Sequence, residues 1–345
     1  MRRILLIILV LIFIAAGFFA WIFLGSATGF KADVKYLYIP SGTKSKQDVM
    51  QLLEKDSIWH LNSFSWLAGR MDYWTNIRPG KYKINQGDNI VSILRKLRNG
   101  RQEPVNIVIV KFRTREALAG AIGRKLECDS TAILSFLNNA DSLRPYGVDT
   151  NTVMTVIFPD TYTYFWNTTP KKVFDKFFEA SKAVWTQERK NKASTQSLTP
   201  ATAYILASII EEETNDAKDK PLMASVYLNR VKKGIRLGAD PTVKFALRDF
   251  ELKRIYEKHL AVESPYNTYR NYGLPPGPIC TPSLETLDAV LNAPVTDYLY
   301  FVAKSDFSGA HVFTSSYNEH LKYAKEYQQA LNDEMEKRRA KEETD

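Results

Sequence analysis

The chain has 345 residues, 12% of them aromatic, and a formal net charge of +9, enough apolar material for a sizeable core in two or three units. Its Lys and Arg are scattered, with small clusters at Lys232-Lys233 and Lys337-Arg338-Arg339, so charge alone admits either a nucleic acid or an anionic polymer or surface as partner. Four His (His60, His259, His311, His320) show no metal-ligand spacing and no Cys cluster accompanies them to support zinc. The first predicted element is Ile4 to Leu24, 21 residues without a charge. At helical rise this spans roughly 30 Å, the thickness of a bilayer's hydrocarbon core. Arg2 and Arg3 precede it and Trp21 sits near its far end, the arrangement of an anchor with a cytoplasmic N-terminus and everything after Leu24 outside. A cleaved signal peptide, with Gly25-Ser26-Ala27 as a weak cleavage site, is the alternative. That topology disfavours a nucleic-acid partner.

Residues 1–30 thus hold a cytoplasmic tip, the anchor and the start of a linker that runs from Gly25 to Lys35. Over 31–130 a pattern recurs: an extended run, a polar turn, then a short amphipathic helix. Tyr36 to Pro40 precedes a helix from Lys44 to Glu54, and Lys81 to Ile84 precedes one from Asn89 to Leu97, closed by Asn99-Gly100. Val105 to Val110 precedes one from Thr114 to Leu126. The periods are unequal, so these read as small α+β modules and not a solenoid. They serve either for binding or as spacers. Cys128 and Cys280 lie far apart and read either as a pair in an oxidising compartment or as two unrelated buried thiols.

Residues 131–330 predict a mixed α+β unit. Ser130 to Leu137 is helical, Val156 to Tyr162 is extended and aromatic, and a helix starts at Thr169-Pro170 and runs to about Arg189. Asn191 to Ser197 reads as a polar loop, and Thr199-Pro200 caps the next helix. That helix ends in Leu206-Ala207-Ser208-Ile209-Ile210-Glu211-Glu212-Glu213-Thr214. Side chains three, four and seven apart share a helix face. Tyr204, Ser208, Glu211 and Glu212 then fall on a wetter face, whereas Glu213 continues the apolar stripe of Leu206 and Ile210. A carboxyl on that stripe is desolvated, which raises its pKa and suits it to general-acid work. The alternative is a stripe that ends one turn early, leaving all three Glu solvated. A helix from Pro221 to Lys233 closes at Gly234. Asp240-Pro241 opens another, with Asp240 either an N-cap or a catalytic carboxylate. Gly273-Leu274-Pro275-Pro276-Gly277-Pro278 excludes helix and central strand and makes a stiff loop suited to wall a sugar or peptide groove. Ser283 to Leu291 is helical, Tyr298 to Ala303 pairs with His311-Val312-Phe313 as a hairpin, and a charged amphipathic helix runs from Tyr317 to Arg339, overlapping a charged, solvated or disordered tail over 331–345.

Seven motifs carry a resemblance over about residues 155–330. They are Phe158-Pro159-Asp160-Thr161-Tyr162, the stretch from Leu206 to Thr214, Asn229-Arg230 and Asp240-Pro241-Thr242-Val243, then Tyr266-Asn267-Thr268-Tyr269, Gly273 to Gly277, and Tyr298 to Val302 followed by His311 and Phe313. In this order the chain resembles the endolytic murein transglycosylases of the YceG-like (MltG) family. The resemblance implies a bacterial inner-membrane, single-pass enzyme whose N-terminal α+β modules are LysM-like and whose YceG-like domain faces the cell wall. It implies that Glu213 is the single catalytic acid. The implied reaction cleaves MurNAc–GlcNAc β-1,4 bonds within peptidoglycan strands without water, leaving 1,6-anhydro-MurNAc ends, with no cofactor. Asn229, Arg230, Asp240, Thr242, Tyr266, Asn267, Thr268, Tyr269, Pro275, Pro276 and His311 become candidates for substrate binding. Penicillin-binding proteins and other wall synthases become candidate partners, with the enzyme ending nascent strands. Glu212 stands where the family commonly has Lys, which adds negative charge beside Glu213 and pushes its pKa further up. Two other readings stay open: a hydrolase pairing Glu213 with Asp240 or Asp160, and a non-catalytic wall-binding scaffold.

Overall fold

The computed structural model describes residues 2–342 and side chains through residue 337. The chain forms two compact units that interleave in sequence: one from residues 1–107, 121–130 and 162–170, the other from 108–120, 131–161 and 171–345.

The first unit begins with α1 (Arg2–Leu24), 23 residues with no buried member, long and apolar enough to cross a membrane. Next come β1 (Val34–Ile39), α2 (Lys46–Lys55), α3 (Leu61–Arg70), β2 (Gly80–Asn85), α4 (Ile90–Asn99) and β3 (Pro104–Ile109). Strands β1 and β2 pair antiparallel from Val34↔Asn85 to Ile39↔Gly80. Their inward residues Leu37, Ile39, Tyr82 and Ile84 share one core with Val49 and Leu53 of α2 and Ile93, Leu94 and Leu97 of α4. The first two strand–turn–helix units are therefore not separate modules, because neither buries its apolar face alone. The segment after α1 also departs from a free linker. The Ala27 N–H bonds to Asp88 O at 2.9 Å, Gly29 N–H to Ser57 O at 2.7 Å and Trp59 N–H to Ala27 O at 2.7 Å. Gly29 is required there, since a Cβ would come within 2.6 Å of the Trp59 indole nitrogen.

Beyond β3 the chain forms α5 (Arg115–Gly123), α6 (Ser130–Leu137), α7 (Ala140–Leu143) and β4 (Asp160–Phe165), which pairs with β3. Then follow α8 (Pro170–Val184) and α9 (Gln187–Thr195). The single helix expected to Arg189 is two helices. Thr186 interrupts it and N-caps α9 through its hydroxyl, which accepts from Arg189 N–H at 3.3 Å, so most of the expected polar loop is helical.

The centre of the second unit is α10 (Pro200–Glu213), capped by Thr199 with Pro200 in its first turn as expected. It packs against α9, α11 (Asp219–Lys232), α12 (Asp240–Leu247) and α14 (Leu284–Leu291). Between α12 and α14 lie the four-residue α13 (Glu257–Leu260) and the proline-rich loop. Every residue from Ala203 to Ile210 is buried, Tyr204 and Ser208 included. No wetter face exists, because each polar atom there has an internal partner. The Tyr204 hydroxyl donates to Ile157 O, and the Ser208 hydroxyl donates to Ile205 O at 2.7 Å while accepting from Ile279 N–H at 3.0 Å. Burying each such Leu or Ile contributes about 1.5–3 kcal/mol, so this helix is a rigid post for the carboxylates at its end. Strands β5 (Tyr300–Ala303) and β6 (His311–Thr314) form the expected hairpin, and α15 (Tyr317–Glu342) closes the described chain. The charged tail expected over 331–345 thus enters α15, and its side chains from residue 338 onward lie outside the described residues.

Candidate active site

Three successive carboxylates end α10, and the tertiary structure gives each a different environment. Glu211 accepts from the Ser283 hydroxyl at 2.9 Å and from the Thr286 hydroxyl, with the buried Lys220 ammonium 3.8 Å away. Glu212 takes a two-pronged pair from Arg113 at 3.1 and 2.9 Å, with Lys111 at 3.4 Å. Glu213 accepts a hydrogen bond from the Tyr227 phenol, to Oε1 at 2.6 Å. Among the described residues no cation lies within salt-bridge reach of it.

That difference sets the chemistry. Desolvation raises the Glu213 pKa from 4.5 to about 7. The Tyr227 hydrogen bond and the fields of Lys244 and Arg230 hold it down, and the charge of Asp240 pushes it up. Glu213 is half-buried, yet it lines an open cleft of about 580 Å³ together with Lys111, Arg113, Lys244, Gly309 and His311. A carboxyl that is half-protonated at neutral pH and reaches a cleft is equipped to give and retake a proton. The Tyr227 phenol stays neutral, its pKa driven well above 10 by burial and by the adjacent Glu213.

The cleft's walls are fixed by backbone capture. The Thr281 hydroxyl donates to Val110 O at 3.0 Å and accepts from Phe112 N–H at 2.9 Å, which holds Lys111 and Arg113 at the cleft. The buried Asp219 accepts from both the backbone N–H and Nδ1 of His311 through one oxygen, at 2.8 and 2.9 Å, and so fixes the ring.

A YceG-like family model matches residues 37–326 of this sequence. The chain belongs to the YceG-like family. It is 30% identical to an endolytic murein transglycosylase of Bacillus subtilis (strain 168) over 319 residues, covering 86% of this chain and 85% of that protein. It is 27% identical to the endolytic murein transglycosylase of Streptococcus pneumoniae serotype 2 (strain D39), covering 77% of this chain but only 53% of that longer protein. A putative YceG-like protein of Listeria monocytogenes, solved by crystallography, superposes with a TM-score of 0.54 at 28% identity, covering 84% of this chain and 98% of that one.

The motif residues of this YceG-like chain divide sharply. Glu213 and His311 line the cleft. Asp240 is exposed and close enough to act on Glu213 electrostatically, and its Oδ1 accepts from the Tyr269 phenol at 2.6 Å. It does not cap α12: it is the first helical residue, the cap position is Ala239, and the Asp240 carboxylate is turned to Tyr269. Thr242, Asn267 and Thr268 are 0–1% exposed and serve as framework. The Asn267 amide donates to Leu260 O and Val262 O at 2.9 Å each, and the Thr242 and Thr268 hydroxyls bond each other at 2.8 Å. Asn229 donates to Thr296 O and Tyr298 O, and Arg230 to Leu237 O and Leu299 O, which ties α11 to the lead-in of β5. Pro275 is buried and Pro276 exposed, and neither lines the Glu213 cleft. The loop's tight course needs Gly277, where a Cβ would lie 2.1 Å from Asn151 O. Tyr266 packs on Phe245 with ring centroids 4.7 Å apart and lines a neighbouring pocket. Cys128 and Cys280 are free thiols, Cys280 buried as expected and Cys128 only half-buried.

Two features escape the motif reading. The acidic neighbour that raises the Glu213 pKa is Asp240, while Glu212 is paired with Arg113 and Lys111. Tyr227 belongs to no quoted motif. Its signal is general: a phenol in a buried helical run needs a polar partner.

Proposed function

We propose that this chain cleaves MurNAc–GlcNAc β-1,4 bonds inside peptidoglycan strands without water. Glu213 gives its proton to the bridging oxygen as the C1–O bond breaks. The sugar's own C6 hydroxyl then closes onto C1 and returns its proton to Glu213, leaving a 1,6-anhydro-MurNAc end. Nothing is added, so one carboxyl suffices where hydrolytic glycosidases use two. The Tyr227 phenol holds Oε1, stabilises the carboxylate formed midway and leaves Oε2 for the proton. His311 and Lys244 face the glycan in the cleft. The observation that carries this reading is a single carboxyl with a pKa of about 7 opening on a cleft, and the names of the Bacillus and pneumococcal relatives agree with it. α1 anchors the enzyme in the bacterial inner membrane with the N-terminus cytoplasmic and both units outside. There it meets wall synthases and ends nascent strands, and the β1–β2 sheet with α2 and α3 is a LysM-like contact for glycan.

The test is Glu213→Gln. Folded protein should release no anhydro-muropeptides from purified sacculi, and retained release sinks the proposal. Hydrolysis by Glu213 with Asp240 is the second reading, favoured by the charge of Asp240 acting on Glu213. Mass spectrometry decides between them: hydrolysis adds the mass of one water and leaves a reducing end, and Asp240→Asn would abolish it.

A further inference from the structure

A second pocket of about 180 Å³ opens in the same unit, lined by Arg113, Arg115, Arg248, Phe245 and Tyr266 among others. Its charges are unequal. Arg113 is committed to Glu212, and Arg248 shares a 3.2 Å bridge with Glu116. Arg115 has no ion-pair partner among the described residues. Both Arg115 and Arg248 lie close enough to the Tyr266 phenol to act on it electrostatically, as does Asp149. Asp149, though, is occupied by its own turn, accepting from Asn151 N–H at 2.9 Å and from Thr152 N–H and its hydroxyl at 2.8 Å. The pocket, which Glu116 also lines, therefore holds one guanidinium with no ion-pair partner among the described residues and a second paired at 3.2 Å with a carboxylate at its rim.

Arg248 ends α12 in the left-handed region, at φ 57°. Glycine or asparagine is the usual residue there, because an L side chain is strained. A strained Arg whose guanidinium lies against the Phe245 ring, 5.9 Å from its centroid, is positioned for recognition. The pocket also adjoins the Glu213 cleft. Arg113 and Phe245 line it and a small intervening hollow, and that hollow shares Arg113, Glu212 and Lys244 with the cleft.

The glycan of murein is neutral where each MurNAc lactyl carboxyl is amidated by its peptide, and its anionic groups are then the carboxylates of that peptide. A cavity this small takes a side branch and not a second glycan chain. We propose that the Arg115–Arg248 pocket is an anion subsite for a carboxylate of the peptide stem on the strand held at Glu213, so that the enzyme selects peptide-bearing glycan. This rests on reading Glu213 as the glycan-cleaving acid.

The test uses the full chain in nanodiscs and two substrates: strands with stems intact, and the same strands stripped by an amidase, with the lactyl carboxylate freed by that hydrolysis capped as its methylamide. Wild-type protein should show the higher kcat/KM on the stem-bearing strands. Arg115→Gln, and Arg248→Asn, which keeps a residue tolerant of the left-handed backbone, should each lower the ratio of the two kcat/KM values by about tenfold or more, the usual loss for a charge-assisted hydrogen bond. Equal losses on both substrates, or an unchanged ratio, overturn the subsite. Binding of Glu213→Gln protein to the same two strands tethered to a surface, with and without Arg115→Gln, reads the same preference without turnover. If wild-type protein forms no anhydro ends, the cleavage reading fails, while the binding ratio still decides the subsite.

Discussion

Glu213→Gln also tests the electrostatics of the site through stability. In the unfolded chain Glu213 ionises near 4.5 and in the folded protein near 7. Between those values the unfolded state has already released a proton that the native state keeps, so native stability falls as pH rises. The contribution is intact below 4.5 and lost once pH passes 7. A shift of that size corresponds to about 3 kcal/mol. Gln occupies the same volume, keeps a carbonyl oxygen for the Tyr227 phenol and never ionises. The variant should match wild type at pH 4 and melt higher at pH 8, by roughly 6–12 °C for a unit of this size. Differential scanning fluorimetry of both proteins in the same detergent, across that pH range, gives the difference curve, in which all other titrations cancel. A flat difference curve would refute the reasoning, since it would mean that Glu213 titrates as a free carboxylate in the fold.

Two further outcomes follow from the same geometry. Tyr227→Phe keeps the edge-to-face contact with Phe301, at 5.8 Å and 89°, but removes the donor that favours ionised Glu213. The alkaline limb of the kcat/KM profile should move up by about one pH unit, and an unmoved limb would show that the phenol does not tune the acid. Asn267→Ala strands the Leu260 and Val262 carbonyls in a buried site, and should cost about 2–3 kcal/mol in urea unfolding, with kcat/KM preserved under native conditions.

The local architecture was largely written in the sequence, for reasons that are local. Thr199-Pro200 starts α10 because a hydroxyl cap and a missing N–H suit a helix N-terminus, and the hairpin of Tyr300 and His311 follows from two apolar runs. Where the reading went astray, a distant partner intervened. Ser208 looked solvent-facing, but Ile279 arrives 71 residues later to bond it. Asp240 looked like a cap, but Tyr269 holds its carboxylate. The 25–35 segment looked free, but its backbone bonds are made by Asp88, Ser57 and Trp59.

The site divides the same way. Helical spacing alone placed Glu213 beyond Leu206 and Ile210 at the end of an apolar helix, because periodicity is a property of neighbours along the chain. It made Glu213 the desolvated candidate of the three but could not tell whether the apolar stripe reaches it or ends one turn early. That choice came from Arg113 and Lys111 reaching Glu212, Ser283 and Thr286 reaching Glu211, and a neutral phenol in place of a salt-bridging cation at Glu213 among the described residues. Ionisation depends on everything within a few ångströms, and those groups meet only when the chain has folded.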